Sequence, residues 1–493
     1  MFLSGYRVGV IGAGVAGLAC AYMLAREGAE VVVFERDPPP PEDPELAFSS
    51  WKRLGASQVR HSHVFLGRLR VLLRDHYPEL LQELLRAGFR EMRPIDNPPP
   101  ALRGRLEPEP GDDDLVALAG RRVTFEWVLR RVIGENPRVQ IETDSKVLGL
   151  LAVPTVPPQV CGVLVDRGRS REAAIRFHFV VDASGRHSTI PRWLQKIGCR
   201  PVVEQQEESG IVYYTRFYRR RAGSEEPKPG QDPWVADWDW LKFALFPAEG
   251  GVFSITLAVP LVEPRLKILS RAAVFDRIVR AIPGLRDWVD PDVAEPYAAA
   301  PREVEAMGGL MNRRRRFVDA DGLIVSRLFV IGDAAYCTNP LYGRGCAQAF
   351  LHAHLLLEAL REAGGDPQVA ATQLDELAQQ QLSPFYRASV VADRDAVRRA
   401  LGKPPVRFLD RVQEGFFRDG VAVAMRTDPV VYRAFLRMIN MFETPEQAFL
   451  QPEVVARTLW VMSQGEAFRR RHGWRPPPAR DRYLMEIGIP SRE

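Results

Sequence analysis

Long hydrophobic runs, paired cysteines and blocks of one charge sign are what this sequence lacks. No stretch approaches the roughly 18 apolar residues that a membrane helix needs, so no transmembrane segment is expected. The apolar stretch near the N-terminus has no basic lead-in and is broken by glycines, so it does not read as a signal peptide. The 5 cysteines (Cys20, Cys161, Cys199, Cys337, Cys346) include no CxxC and no metal spacing. Neither a disulfide framework nor a metal site is expected, and a reducing cytoplasm is the expected location. Basic and acidic residues are interleaved, with a net charge of +5 and no basic arm or tail, which argues against a nucleic-acid partner. The densest basic run, Arg313 to Arg316, reads as a solvated strand edge or turn; a site for a phosphate-bearing substrate or nicotinamide cofactor is the alternative. No internal repeat is visible.

What is present is a chain of 493 residues with 46% hydrophobic content, enough for a large core and two to four domains. Residues 6–11 read as a buried strand, 15–27 as a helix and 31–34 as a second parallel strand, a βαβ opening. PPPPEDPE at 38–45 stops regular structure, and helical periodicity runs over 60–89 with a break at Pro78. A helix follows at 121–133, then strands at 139–142, 147–153, 161–166 and 177–183. From about 200 the pattern is β-rich, at 210–220, 238–248 and 251–260. LFVIGDAA at 328–335 returns to the first domain, and beyond 366 helices are expected near 368–382, 384–401, 406–425, 429–442 and 452–470, before a Pro-rich WRPPPARD. These helices read as a capping bundle, with a lid or dimer surface as the alternative.

The first motif is GxGxxG, with Gly12 permitting a tight turn, Gly14 admitting a pyrophosphate and Gly17 allowing close helix–strand packing. Ala16 and Arg36 belong to the same segment. Glu35 ends the second strand, where a carboxylate can bind ribose hydroxyls. This fingerprint alone fits NAD or FAD. Two later segments decide between them: DASGRHS at 182–188 and FVIGDAAYCTNPLYGRGCAQAF at 329–350.

Together the three segments resemble the FAD-dependent monooxygenases of the p-hydroxybenzoate hydroxylase type and their relatives, the squalene-epoxidase-like epoxidases, flavin-dependent halogenases and geranylgeranyl reductases. The resemblance spans roughly residues 5–365 and is weakest in the β-rich part. It implies an α/β (α+β overall) architecture: a Rossmann-like FAD-binding domain (1–200 and 321–365), an inserted β-sheet substrate domain (201–320) and a helical C-terminal region (366–493). It places Asp182, Gly185 and Ser188 near the pyrophosphate, Gly332 and Asp333 on the ribityl chain, and Pro340 against the isoalloxazine. Gly343 and Gly345 open a helix whose N–H groups face the pyrimidine edge of the ring. Arg122, or Arg121 in an alternative register, would contact the cofactor. Arg60, His61 and His63 fall where relatives have a flavin-adjacent segment; a His there could move protons or bind substrate, while helix-start polar residues are the plainer reading. His352 and His354 read as packing or surface residues, and Cys337 and Cys346 as core fillers rather than sites of a covalent flavin link.

The function implied is hydroxylation or epoxidation of a hydrophobic small-molecule metabolite with O2, through a flavin hydroperoxide. Electrons would come from NAD(P)H, although no second GxGxxG exists, or from a partner flavin reductase. Tyr213, Tyr214, Phe217, Trp238, Trp240, Phe243, Phe246 and Phe253 read first as core, with several of them lining an apolar pocket. Alkene or polyene reduction or dehydrogenation is one alternative. Halogenation is another, but WDW at 238–240 is followed by LKFALFP, without the IP of the halogenase segment, and Lys242 is the nearest lysine among only seven. The same fold serves proteins resembling Rab GDP-dissociation inhibitors, which bind lipidated partners without flavin chemistry; Gly12, Gly14, Gly17, Glu35 and Asp333 argue against that reading.

Overall fold

The computed structural model describes residues 1–168, 172–227, 233–472 and 478–489; the first half of WRPPPARD lies outside them. In chain order, the elements that build the site begin with β1 (Arg7–Ile11), α1 (Val15–Arg26), β2 (Glu30–Phe34), α2 (Arg122–Gly134), β3 (Val139–Glu142) and β4 (Phe179–Asp182). There follow β5 (Ile211–Arg220), β6 (Lys242–Pro247), β7 (Val252–Pro260), β8 (Met311–Arg316) and β9 (Leu328–Val330). Then come α3 (Gly345–Glu362), α4 (Ser383–Ala400), α5 (Pro429–Ile439) and α6 (Pro452–Ser463).

Five parallel strands form one sheet in the order β9-β4-β1-β2-β3. Their near-continuous apolar runs suit a sheet covered on both faces, and Val8, Val10, Val31, Val33, Val180, Val181 and Phe329 are all buried in it. Register does the decisive work. Ile11 pairs with both Phe34 and Asp182, and Asp182 pairs with Val330, so Gly12, Glu35, Ala183 and Ile331 leave the sheet side by side at its C-terminal edge, where open α/β sheets bind ligands.

The antiparallel sheet β6-β7-β5 pairs Tyr213 with Ala258, and Thr215 and Ala244 with Thr256. Alternate positions share a face. Tyr213 and Thr215, Lys242, Ala244 and Phe246, and Thr256 and Ala258 line a cavity. The intervening Tyr214, Leu245, Phe253, Ile255 and Leu257 join a core with Phe275, Trp288 and, from the chain's end, Leu484 and Ile487.

Several expectations change in detail. The strand expected from 238 starts only at Lys242, because Asp239 sits at φ +64 and turns the chain while Trp238 and Trp240 pack on Tyr483. Residue 60 ends a short 3-10 helix and residues 61–66 are not helical; Val64–Phe65 pairs as a short strand with 118–119, and the α-helix begins at Gly67. The arginine run is not a solvated strand edge. It forms β8, central in a three-stranded sheet, with Arg315 on Glu204 (2.5 Å) and Arg316 on Asp375 (2.7 Å). The expected helix 406–425 is broken into Phe408–Gly415, a π-turn Phe416–Val421 and Ala422–Ala424.

Candidate active site

At the C-terminal edge of the parallel sheet lies a cavity of about 2400 Å³, well above the roughly 300–1,000 Å³ of a single small-ligand pocket. It begins at the glycine loop. Gly12 has φ +97, and a Cβ there would stand 2.7 Å from the Ala183 carbonyl oxygen; a Cβ on Gly17 would be 1.9 Å from the Gly12 oxygen. Both positions therefore demand glycine for the protein's own packing. A Cβ on Gly14 would meet nothing within 4 Å, and Gly14 and Ala16 face the cavity. The α1 N-terminus has no side-chain cap, which leaves its first N–H groups for an anion.

Glu35 accepts the N–H of Ala13 (3.1 Å) and pairs with Arg53 and Arg130, each at 3.0 Å. Burial raises its pKa, but these guanidinium groups outweigh it and hold the carboxyl below its usual range. Arg53 also binds Asp37 (2.8 Å) and Glu126 (3.0 Å), and Glu126 binds Arg122 (2.7 Å). Three carboxylates and three guanidiniums thus form one buried lattice. Arg53, Glu126 and Arg130 escaped the sequence reading. Arg122, Glu126 and Arg130 are spaced four apart on one face of α2, a stripe that was legible; Arg53 carries no such signal. The alternative register is resolved as well: Arg122 lines the cavity, whereas Arg121 does not and is held by Glu249 (2.6 Å) and Glu45 (2.7 Å). Arg36 borders the cavity, half exposed.

Asp182 is fully buried and faces no ligand space. Its carboxylate accepts the Ser184 N–H (3.0 Å) and the Ser188 hydroxyl (2.6 Å), so it shapes the turn that presents Gly185 and Arg186 to the cavity. Arg186 reaches Asp333 at 3.8 Å and leaves its Nε without a partner. Gly332 lies behind Asp333 and donates its N–H to His352 Nδ1 (3.2 Å), which gives His352 a packing role. His354 accepts or donates against Tyr77 Oη at 3.0 Å.

Asp333, Pro340, Gly343 and Gly345 all border the cavity. The α3 N-terminus has no side-chain cap and so offers N–H groups and the positive end of its dipole. Cys346 lies 3.5 Å from Arg122; burial pushes its thiol up to about 11, against the lowering effect of Arg122. The loop itself is pinned from outside. Asn339 accepts from the Tyr213 hydroxyl and the Leu341 N–H (3.1 Å) and donates to Asp393 of α4 (2.7 Å), which also accepts from Asn312 (2.7 Å) and Tyr342 (3.1 Å). No spacing in the sequence announces Asp393, because its partners come from β8 and the loop.

His61 and His63 both face the cavity, while Arg60 does not; Arg60 binds the carbonyls of Phe48 and Trp51, each at 2.7 Å, and so braces the chain. His61 Nδ1 meets Thr215 Oγ1 (2.9 Å), which continues to Thr256 (2.7 Å) and Ser62 (2.7 Å). Burial, with Arg186 nearby, lowers His61 to about 4; burial and Arg122 lower His63 to about 3. Both imidazoles are neutral at neutral pH. Lys242 borders the cavity, but its ammonium is tied to Asp237 (2.9 Å).

The donor set fits a flavin dinucleotide: an open glycine cradle, an anion-ready helix end, an unpartnered Arg186 Nε beside Asp333, and a second helix end farther along the same cavity. A family model described as FAD dependent oxidoreductase matches residues 7–359. Protein Rv3254 of Mycobacterium tuberculosis is 26% identical over 484 residues, 93% of this chain and 95% of that one. The kynurenine 3-monooxygenase of Saccharomyces cerevisiae is 21% identical over 379 residues, 74% of this chain and 76% of that one. Among solved structures, the myxobacterial chondrochloren halogenase superposes with a TM-score of 0.57 at 18% identity, covering 93% of this chain and 97% of its own; this likeness concerns the fold.

Proposed function

Since the chain belongs to the FAD dependent oxidoreductase family, we propose that it is a monooxygenase that hydroxylates or epoxidises a hydrophobic small-molecule metabolite with O2. The observation that carries this reading is the continuity of one cavity from the Gly12–Gly14 cradle to the apolar face of the inserted sheet, which touches the Pro340 loop through Tyr213 and Leu341. A substrate held there lies beside the segment that would hold the flavin ring.

FAD, when bound, supplies the redox chemistry and, once reduced, the reaction with O2. The residues do the rest. Gly14 and the α1 N-terminus hold the pyrophosphate, Glu35 and Arg36 flank the adenosine half, and Asp333 takes ribityl hydroxyls. Arg122 and the N–H groups at Gly345 stabilise negative charge on the ring. Neutral His61, with the Thr215–Thr256–Ser62 hydroxyl chain, can pass a proton at its Nε2 without introducing a charge. Phe243, Phe246 and Ala258 exclude water from the substrate face.

The electron donor is NAD(P)H or a partner flavin reductase, and the setting is cytoplasmic secondary metabolism. No helix among the described residues is long and apolar enough to cross a membrane. The test is to supply the FAD-loaded protein with NADPH, or with a flavin reductase, under ¹⁸O₂ and a panel of polycyclic, polyene and aromatic compounds. One ¹⁸O atom in a product supports the reading. A reduced or desaturated product carrying no ¹⁸O would make it a reductase or dehydrogenase, and halide incorporated in place of oxygen would make it a halogenase.

A further inference from the structure

The cavity does not end at the inserted sheet. Phe417, Met425, Phe435, Met438 and Phe449 of the C-terminal helical region also line it, as do Met92, which ends the strand Arg90–Met92, and Pro94 just beyond it. This wall is anchored to the dinucleotide-binding half at three places. Arg433 of α5 binds Glu109 and Asp112, each at 2.8 Å; Tyr432 donates to the Pro94 carbonyl (2.9 Å); and Asn440 accepts the Gly67 N–H (2.6 Å). The π-turn Phe416–Val421 supplies Phe417 and Arg418 to the same wall, and π-turns recur at functional sites because they re-aim side chains.

Among the described residues, most arginines around this lobe are matched by an acid, and two are not. Arg90 is paired with Glu226 (3.2 Å), Arg93 with Asp113 (3.1 Å) and Arg418 with Asp419 (3.2 Å). Arg103 and Arg471 also border the cavity and have no ion pair among the described residues. His472 follows Arg471; burial first, then Arg471 and Arg105, lowers its pKa. The volume adds a further constraint. About 2400 Å³ leaves room, beyond a dinucleotide cofactor, for a ligand much larger than a single ring system.

We infer that the C-terminal helices form a second lobe that holds the apolar body of a bulky amphipathic substrate, with Arg103 and Arg471 receiving its one anionic group. The inference rests on the proposed function only in calling this ligand the substrate; binding is measured without turnover. A carboxylate, sulfonate or phosphate would satisfy either guanidinium.

The experiment uses the FAD-loaded protein and two fluorescent probes, the anionic 1-anilinonaphthalene-8-sulfonate and the uncharged N-phenyl-1-naphthylamine. The anionic probe should bind more tightly. The double variant Arg103→Glu/Arg471→Glu should weaken it about tenfold, as expected for two rim charges reversed, and leave the neutral probe unchanged. Ala422→Phe, which adds bulk at the lobe wall rather than removing core, should exclude both probes while FAD content and melting temperature hold. Displacement by laurate and by dodecyl phosphate tells a carboxylate preference from a phosphate one, with dodecanol expected to be weaker than both. Equal binding of the two probes by the wild-type protein, equal displacement by dodecanol, or no effect of Ala422→Phe would overturn the inference. Absence of ¹⁸O transfer with probe binding intact would overturn the oxygenase reading alone.

Discussion

The two ends of the cofactor site are built on opposite principles. At the adenosine end, Glu35, Asp37 and Glu126 are locked against Arg53, Arg122 and Arg130, so shape is fixed by a charge lattice almost closed to water. At the proposed flavin end, the Asn339–Gly345 loop is held by hydrogen bonds from three other segments, and neutral imidazoles and uncommitted N–H donors face the cavity beside Arg122, the one lattice arginine proposed to reach the ring. The difference teaches where rigidity and reactivity are kept apart. A closed charge lattice would hold the part of the ligand that does not change, whereas the part whose charge changes would meet mainly neutral donors and the edge of that lattice at Arg122.

The largest test of that contrast is Glu126→Gln. It leaves Arg122 buried without its carboxylate and takes one of three from Arg53, and should cost about 3–5 kcal/mol in urea unfolding. Asp393→Asn at the other end should cost only about 1–3 kcal/mol, because its neighbours are neutral; equal losses would break the comparison. Next come two glycines in one loop. Gly17→Ala should lose about 1–3 kcal/mol by overpacking against the Gly12 carbonyl together with its FAD. Gly14→Ala should keep its melting temperature and still lose FAD, because the space its Cβ enters is ligand space. Both losses are read from the visible spectrum of the purified protein.

Acid separates the two ends. His61 and His63 are depressed from 6.5 to about 4 and about 3, so the stability they confer is complete above pH 6.5 and lost as pH falls from there through 4. Burial raises Glu126, but Arg53 and Arg122 outweigh it and bring it from 4.5 to about 2; its contribution is complete above pH 4.5 and lost toward pH 2. The histidine-bearing end should therefore lose stability first, measured as a falling free energy of urea unfolding between pH 6.5 and 4, and His61→Gln should flatten that limb. The smallest expected effect is that of Asp333→Asn, a several-fold rise in the FAD dissociation constant with unchanged unfolding, since Asp333 is held only by the 3.8 Å contact to Arg186.

The βαβ opening, the return at β9 and the three motifs were legible because each is local: a run of apolar residues, a glycine spacing, a strand-end carboxylate. The role of Asp182 was not, because its motif fixes where the residue sits but not whether its oxygens point to a ligand or back into their own turn. Arg60 failed for the same reason, as its guanidinium turned to nearby carbonyls instead of the cavity. The arginine run misled because four consecutive charges on a central strand are tolerable only when acids on neighbouring elements, Glu204 and Asp375, come to meet them. Asp393 and the second lobe depend on contacts between distant segments, which no single-sequence spacing encodes.

The placing of β9 beside β4 has a consequence for how the molecule is made. β4 leaves the ribosome with one edge bare, and its partner follows only after the whole stretch from Asp182 to Leu328, which at 5–20 residues per second takes roughly 7–30 s. During that interval Phe179–Asp182, buried along its length in the finished protein, presents an open apolar edge of the kind that recruits foreign strands. Asp333 emerges later still. Cofactor supply during synthesis therefore cannot protect the nascent chain, and yield should respond to slower translation or added chaperone more than to added riboflavin.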